Sequence, residues 1–226
     1  MESEKKDMVT FEDIKKNAEI RTYIEKGNAN LGVLGFTKHS IGHATKVSDT
    51  AAKILEELEY PARTVELARI AGYMHDIGNC VNRTDHAHNG AIMAMTILRD
   101  MGMKPDEIAT VIAAIGNHDE KTGTAVDAVS AALILADKTD VRRNRVRGRD
   151  QTKFDIHDRV NFAAISSELH MDQEKRQITL DIQLDDGICS VLDYFEIFLE
   201  RMLMCRRAAK MLGCSFKLKA NGSKVL

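Results

Sequence analysis

The chain has 226 residues, of which 44% are hydrophobic and 29% charged. That balance belongs to a globular protein able to bury a core without disulfide or metal staples, and it excludes a small disulfide scaffold and a wholly disordered chain. The formal net charge of -2 supplies no global basic field for nucleic acid.

The opening MESEKKDMVTFEDIKK is charged and lacks the apolar centre of a signal peptide. Apolar runs such as Ala131 to Ala136 fall far short of a membrane span. Cys80, Cys189, Cys205 and Cys214 show no CxxC spacing and read as reduced thiols of a cytoplasmic protein. A first helix is expected over residues 10–26, with Thr10 as N-cap and Asp13 three residues on. The glycines at 27, 32 and 35 suggest a broken connector over 27–37. Val47, Ala51, Ile54, Leu55 and Leu58 share one face of a long helix over 38–59. Pro61 suits the start of the next helix, which runs toward Asp76 and ends at Gly78. A polar loop over 79–86, then helices over 87–101, from Pro105 to 117, and over 126–140, complete an almost wholly helical segment.

Beyond about residue 150 the pattern changes. Ile178, Ile182 and the leucines at 180 and 184 alternate with polar residues, the period of a half-buried strand. Val191, Phe195, Phe198, Met202, Cys205, Ala209 and Leu212 form a helical core stripe with Gly213 as C-cap. Asn221-Gly222 between short alternating runs is a hairpin signal. The expected fold is therefore mainly α: an N-terminal helical segment (1–35), a helical bundle (36–150), and a C-terminal α+β unit (151–226) with a small antiparallel sheet and one long helix.

Six of the eight histidines, His39, His43, His75, His86, His88 and His118, lie in the helical part. Imidazole with carboxylate suits zinc, manganese, iron and related ions. His-Asp occurs at 75–76, 118–119 and 157–158, so the dipeptide alone is a weak signal. His75-Asp76 stands out because it ends an apolar helix just before a glycine. Asp137 lies late in a nearly fully apolar helix, where a carboxylate is costly unless it is paired with a cationic side chain or bound to metal.

The order His43, His75-Asp76, Asp137, with the flanks HSIGHATKV and LILADKTD, resembles the HD-domain superfamily of metal-dependent phosphohydrolases across residues 36–150. The segments TDHAHNGAIMAMTIL and VIAAIGNHDE resemble those of members with two additional histidines, here His86 and His118. The resemblance implies an HD-like helical bundle and two divalent ions: manganese, iron or another transition metal, with magnesium admissible. It implies a first ion on His43, His75, Asp76 and Asp137, and a second on His86 and His118, bridged by Asp76. A metal-bound hydroxide would attack a nucleotide or other small phosphate ester. His88 remains an alternative to His86. His39 would orient substrate or cap a loop. Cys80 is either a buried neutral thiol or a soft-metal ligand. His157 and His170 lie outside the constellation.

Arg142, Arg143, Arg145, Arg147 and Arg149 follow Asp137. On a continued helix Arg142, Arg145 and Arg149 would share a face, either solvated or clamping phosphate. Asp76, Lys138 and Arg142 are the expected catalytic residues, and Asp85, Asp119 and Glu120 are within sequence reach as the general acid. Asn79 after His-Asp-Ile-Gly departs from members acting on cyclic dinucleotides, which carry lysine there. The stretch NCVNRT lacks the acidic pair of guanosine tetraphosphate hydrolases. The extra-histidine pattern is closer, in part, to the group splitting dinucleoside polyphosphates. A di-iron oxygenase on the same fold and a non-catalytic nucleotide sensor are the other readings. Partners are a small phosphorylated substrate and a second copy through an exposed sheet edge. No membrane partner and no strong nucleic-acid signal are expected.

Overall fold

The computed structural model describes residues 8–148, 154 and 156–225. The fold is mainly helical, with a small sheet and a long helix at the C-terminal end. The bundle comprises α1 (Phe11–Lys16), α2 (Ala18–Val33), α3 (Ile41–Glu57), α4 (Ala62–Met74), α5 (His86–Asp100), α6 (Pro105–Gly116) and α7 (Ala128–Lys138). Then follow α8 (Ile156–Ala163), β1 (Ala164–Asp172), β2 (Gln177–Leu184), α9 (Val191–Met211), β3 (Ser215–Ala220) and β4 (Ser223–Lys224). Among the described residues no helix is long and apolar enough to cross a membrane.

The expected first helix is two. Thr10 and Asp13 form a reciprocal cap on α1, and Asn17 then ends α1 and caps α2 through its side chain. The connector expected at 27–37 is helical as far as Val33. Gly27 does not break α2; it lets the helix lie against the turn after His75-Asp76, where a Cβ would stand 3.1 Å from Asn79 Cβ and from Cys80 N. A glycine required for close packing and one that loosens a loop look alike in sequence.

The apolar stripe of α3 packs against α4 and α7. At the α3–α4 crossing Gly72 admits the Ser48 backbone; a Cβ there would meet Ser48 Cα at 2.7 Å. One continuous core runs from Ile14 and Ile20 through Val47, Ile70 and Leu133 to Leu180, Phe198 and Leu218.

The sheet order is β1-β2-β3-β4. β1–β2 and β3–β4 are antiparallel hairpins, the latter turning at Asn221-Gly222, but β2 and β3 pair parallel, with Gln177 opposite Ser215. The parallel step arises because α9 lies between the two strands in the chain and carries it back along the sheet. α9 packs on both β3 and α7, joining the sheet to the bundle.

Candidate metal centre

His43 sits in the first turn of α3, on the buried stripe that continues through Val47 and Ala51. His75 is the C-cap of α4, and Asp76 opens a 3₁₀ turn, Ile77–Cys80. Within that turn Gly78 abuts the start of α5 so closely that a Cβ would lie 2.0 Å from His86 O. His86 is the first residue of α5 and follows Asp85, whose φ is 57°. His118 follows the C-cap of α6, and Asp137 lies in the last turn of α7.

These six side chains converge. Asp76 Oδ2 lies 3.1 Å from His75 Nε2 and 3.7 Å from His43 Nε2. Its Oδ1 faces the other way, 3.6 Å from His86 Nε2 and 3.9 Å from His118 Nε2. Asp137 Oδ1 is 3.3 Å from His43 Nε2 and 3.7 Å from His75 Nε2. His43, His75 and Asp76 form one metal-sized group, and Asp76, His86 and His118 form another.

All four imidazoles are oriented from behind. His75 Nδ1 donates to Gly72 O at 2.8 Å, His118 Nδ1 to Ile115 O at 2.6 Å, and His86 Nδ1 to Arg83 O at 3.1 Å. His43 Nδ1 donates to Asp140 Oδ2 at 2.7 Å. Each arrangement leaves the Nε2 lone pair aimed inward, the tautomer a metal ligand needs. Asn79 Nδ2 steadies Asp76 by donating to Oδ1 at 2.8 Å.

The donors fit a divalent cation. His43 Nε2, His75 Nε2 and Asp76 Oδ2 are buried without a hydrogen-bond partner, a costly state for polar atoms. His86 Nε2 and His118 Nε2 face each other at 3.1 Å although both Nδ1 atoms already donate, and of these two Nε2 atoms the Arg83 Nη1 donor reaches only that of His86, at 3.2 Å. Two lone pairs brought together in this way call for a proton or a cation between them.

Charge reinforces the fit. Burial raises the Asp76 carboxyl, but the adjacent His75 ring, raised by the same carboxylates, outweighs it and holds Asp76 well below the usual carboxylate range. Asp137 is likewise raised by burial and pulled further down by Lys138 and by hydrogen bonds from His43 and His75. Burial lowers His75, but Asp76 and Asp137 prevail and push it up to about 10, so its Nε2 favours a proton that a bound cation would displace. His118 is driven well below its ordinary value by burial and by neighbouring His75.

The centre opens into a cavity of about 540 Å³. Lys138 lines it, with Nζ 2.7 Å from Asp137 Oδ2, so the lysine pairing considered for Asp137 coexists with its approach to the histidines. Asp85, Asp119 and Glu120 line it too. Arg142 does not stand in the lining as an anion clamp would. α7 ends at Lys138, Thr139 caps it, and the chain leaves the helix, so the continued helix expected for the arginine run does not form. Arg142 Nε and Nη2 instead grip Asp140 at 2.6 and 3.0 Å. Arg145 does line the cavity, though buried and donating to Asp140 O and Lys38 O, and Arg147 binds Asn28 and Phe36 O. Arg149 lies outside the described residues.

His88 is exposed beside Asp85 rather than in the cluster. Cys80 is half-buried, with Sγ 4.0 Å from Met93 Sδ. His39 precedes α3 and so does not share a helical face with His43, but its ring still meets that of His43 edge-on at 5.5 Å. His157, expected to lie outside the constellation, lines the cavity.

Sequence reasoning missed four contributors. Asp140 lies three residues after Asp137, in the same motif. Asn79 was read only as a departure. Arg83, over the Phe36 ring at 5.6 Å, and Arg201, bound to Glu120 at 2.9 Å, line the cavity from loops and from α9. Nothing local in the sequence marks Arg201, because the fold alone brings α9 to this site.

Residues 40–196 match the HD domain family. The chain is similar to the uncharacterized protein MJ1020 of Methanocaldococcus jannaschii, with 26% identity over 200 residues, 78% of this chain and 76% of that protein. A crystal structure of a predicted HD superfamily hydrolase from an uncultured Thermotogales bacterium aligns with 27% identity and a TM-score of 0.43, covering 55% of this chain and 67% of the other.

Proposed function

Since the chain belongs to the HD domain family, we propose that it is a divalent-metal-dependent phosphohydrolase acting on a nucleotide or another small phosphate ester. The observation that carries this reading is the division of the Asp76 carboxylate, one oxygen toward His43 and His75, the other toward His86 and His118. A shared anionic ligand is what two adjacent cations require. Manganese, iron or a similar ion held there supplies Lewis acidity to a phosphoryl oxygen and lowers the pKa of a water toward neutrality.

The chain's own residues divide the remaining tasks. His43, His75 and Asp137 would hold one ion, His86 and His118 a second, with Asp76 available to both. Arg83 has no carboxylate partner among the described residues and presents a guanidinium at the cavity wall, suited to bidentate contact with phosphate. Lys138 adds a second positive charge beside Asp137. Arg142 acts behind His43, through Asp140, rather than on substrate. His39, whose Nδ1 donates to Thr37 O at 2.8 Å and whose pKa burial holds well below its ordinary value, presents Nε2 to the cavity as a proton acceptor. Asp119 is the donor available to the leaving group, while Glu120 is engaged by Arg201.

The test is phosphate release with product identification over nucleotides and phosphoesters in manganese, with Asp76→Asn as control. Turnover by the native chain, reduced at least about a thousandfold in the variant, supports the reading. A native chain that releases nothing across the panel in manganese or iron, yet consumes oxygen when iron-loaded, would move it to the oxygenase class.

A further inference from the structure

On the Nδ1 side of His43, away from the cavity, a second hollow of about 300 Å³ lies between α3 and β1. Lys46, Thr50 and Lys53, on successive turns of α3, form one wall, and Ser167 to His170 of β1 form the other, with Thr139 and Asp140 between them. Beyond it the Gln173 side-chain amide donates to Glu57 O, tying the end of β1 to the end of α3.

β1 is the outermost strand and pairs only with β2. Among the described residues no backbone hydrogen bond from another segment reaches its outer edge. The strand is nine residues long and reads AISSELHMD. Natural edges are blunted by charged side chains, lysine above all, by proline, by bulges or by a covering helix or loop. This one has no lysine or proline, its only mid-strand charged residue is Glu168, its one irregularity is at the end, between Ala164 and Ser166, and Ser167 Oγ alone donates across to Thr139 O. A helix standing off an unpaired strand edge, with a channel between them, is a geometry in which an extended segment can add to a sheet: main-chain bonds give affinity and the flanking wall selects side chains.

The wall charge sets the selection. Lys46 has no carboxylate partner among the described residues, and Lys53 pairs only with half-buried Glu57, at 3.5 Å. Of the acidic groups facing them, Asp140 is held by Arg142 and His43, while Glu168 is exposed with only the His170 ring near it, at 3.6 Å, so the two lysines leave the wall net positive. A second copy pairing β1 to β1 would carry its own α3 lysines into the same space, like charge against like.

We propose that this groove binds an extended acidic segment of a partner protein, which adds to β1 as a fifth strand with its carboxylates against Lys46 and Lys53.

The test uses the full chain and two end-blocked synthetic peptides of about eight residues, one alternating Val with Glu and one alternating Val with Lys. Binding is followed by fluorescence anisotropy and amide hydrogen exchange. The Val/Glu peptide is expected to bind about tenfold or more tighter and to slow exchange in residues 164–172. The double variant Lys46→Glu, Lys53→Glu, with an unchanged melting temperature, is expected to reverse the preference. Equal binding, no binding, or binding without protection of β1 overturns the proposal. A chain that sediments as a dimer with β1 already protected overturns it in favour of self-association.

Discussion

Asp140 Oδ2 stands 2.7 Å from His43 Nδ1, with both side chains buried and Arg142 gripping the same carboxylate. This contact holds the imidazole with Nε2 toward Asp76 and Asp137. A carboxylate behind a ligating histidine fixes its tautomer and raises its basicity. Asp140→Asn is therefore expected to weaken manganese binding by about ten- to a hundredfold, measured by calorimetry on protein whose melting temperature is checked in parallel. Unchanged affinity would mean that the pair only packs.

The division of the Asp76 carboxylate makes stoichiometry diagnostic. Elemental analysis of the native chain should return two ions. His118→Ala removes one of the paired Nε2 donors and should return about one, with the His43–His75 group intact. Asp76→Asn should lower both occupancies together. Equal stoichiometry in native chain and His118→Ala would refute the two-ion arrangement.

Gly78 is sensitive for a steric reason. A Cβ there would lie 2.0 Å from His86 O and 2.5 Å from Gly90 N. Gly78→Ala must push α5 away from the His75-Asp76 turn, which separates His86 from Asp76. Overpacking of this kind costs about 3 kcal/mol, read as a lower denaturant midpoint. Metal binding should fall further than global stability does. A fully metal-loaded variant would rule out this coupling.

Far from the site, Arg63 clamps Glu107 with Nε–Oε1 and Nη2–Oε2 distances of 2.7 Å each, and also binds Glu66 and Val9 O. The Arg63 hydrogen bonds, with burial opposing, lower the Glu107 pKa. Such a group adds stability above its unfolded pKa, about 4.3, and loses it as the pH falls through the lower folded value. Glu107→Gln should thus cost about 1 kcal/mol at pH 7 and progressively less on acidification below the ordinary glutamate range. Urea titrations across that window would show it. A difference independent of pH would assign the loss to packing.

The residues that converge at the centre were legible in sequence because each lies next to a strong local signal: His43 on an apolar stripe, His75-Asp76 at a helix end, Asp137 inside an apolar helix. β2, the stripe of α9 and the hairpin at Asn221-Gly222 were legible by period and turn chemistry. α8 and β1 were not, since IHDRVNFA and AISSELHMD show neither a clean helical stripe nor strict alternation. The arginine run misled for a tertiary reason. Asp140 turns toward His43 and draws Arg142 and Arg145 around itself, which ends the helix that local propensity would have continued. Arg201 and Glu120 meet although 81 positions separate them in sequence, a relation that no local window contains.

The parallel pairing of β2 with β3 has a consequence for the order in which the protein assembles. Gln177 and Ser215 are register partners although the whole of α9 separates them, and Arg201 hangs from the middle of that helix. Pairings of this kind are slow to form, because the connecting segment loses its freedom before the new contacts repay the loss, and the meeting of His43 with Asp140, across 97 residues, is slower still. The converging side chains all lie upstream, from His43 to Asp137, so the chain that carries them is complete before α9 begins, whereas the cavity wall tied by Arg201 to Glu120 needs α9 in place.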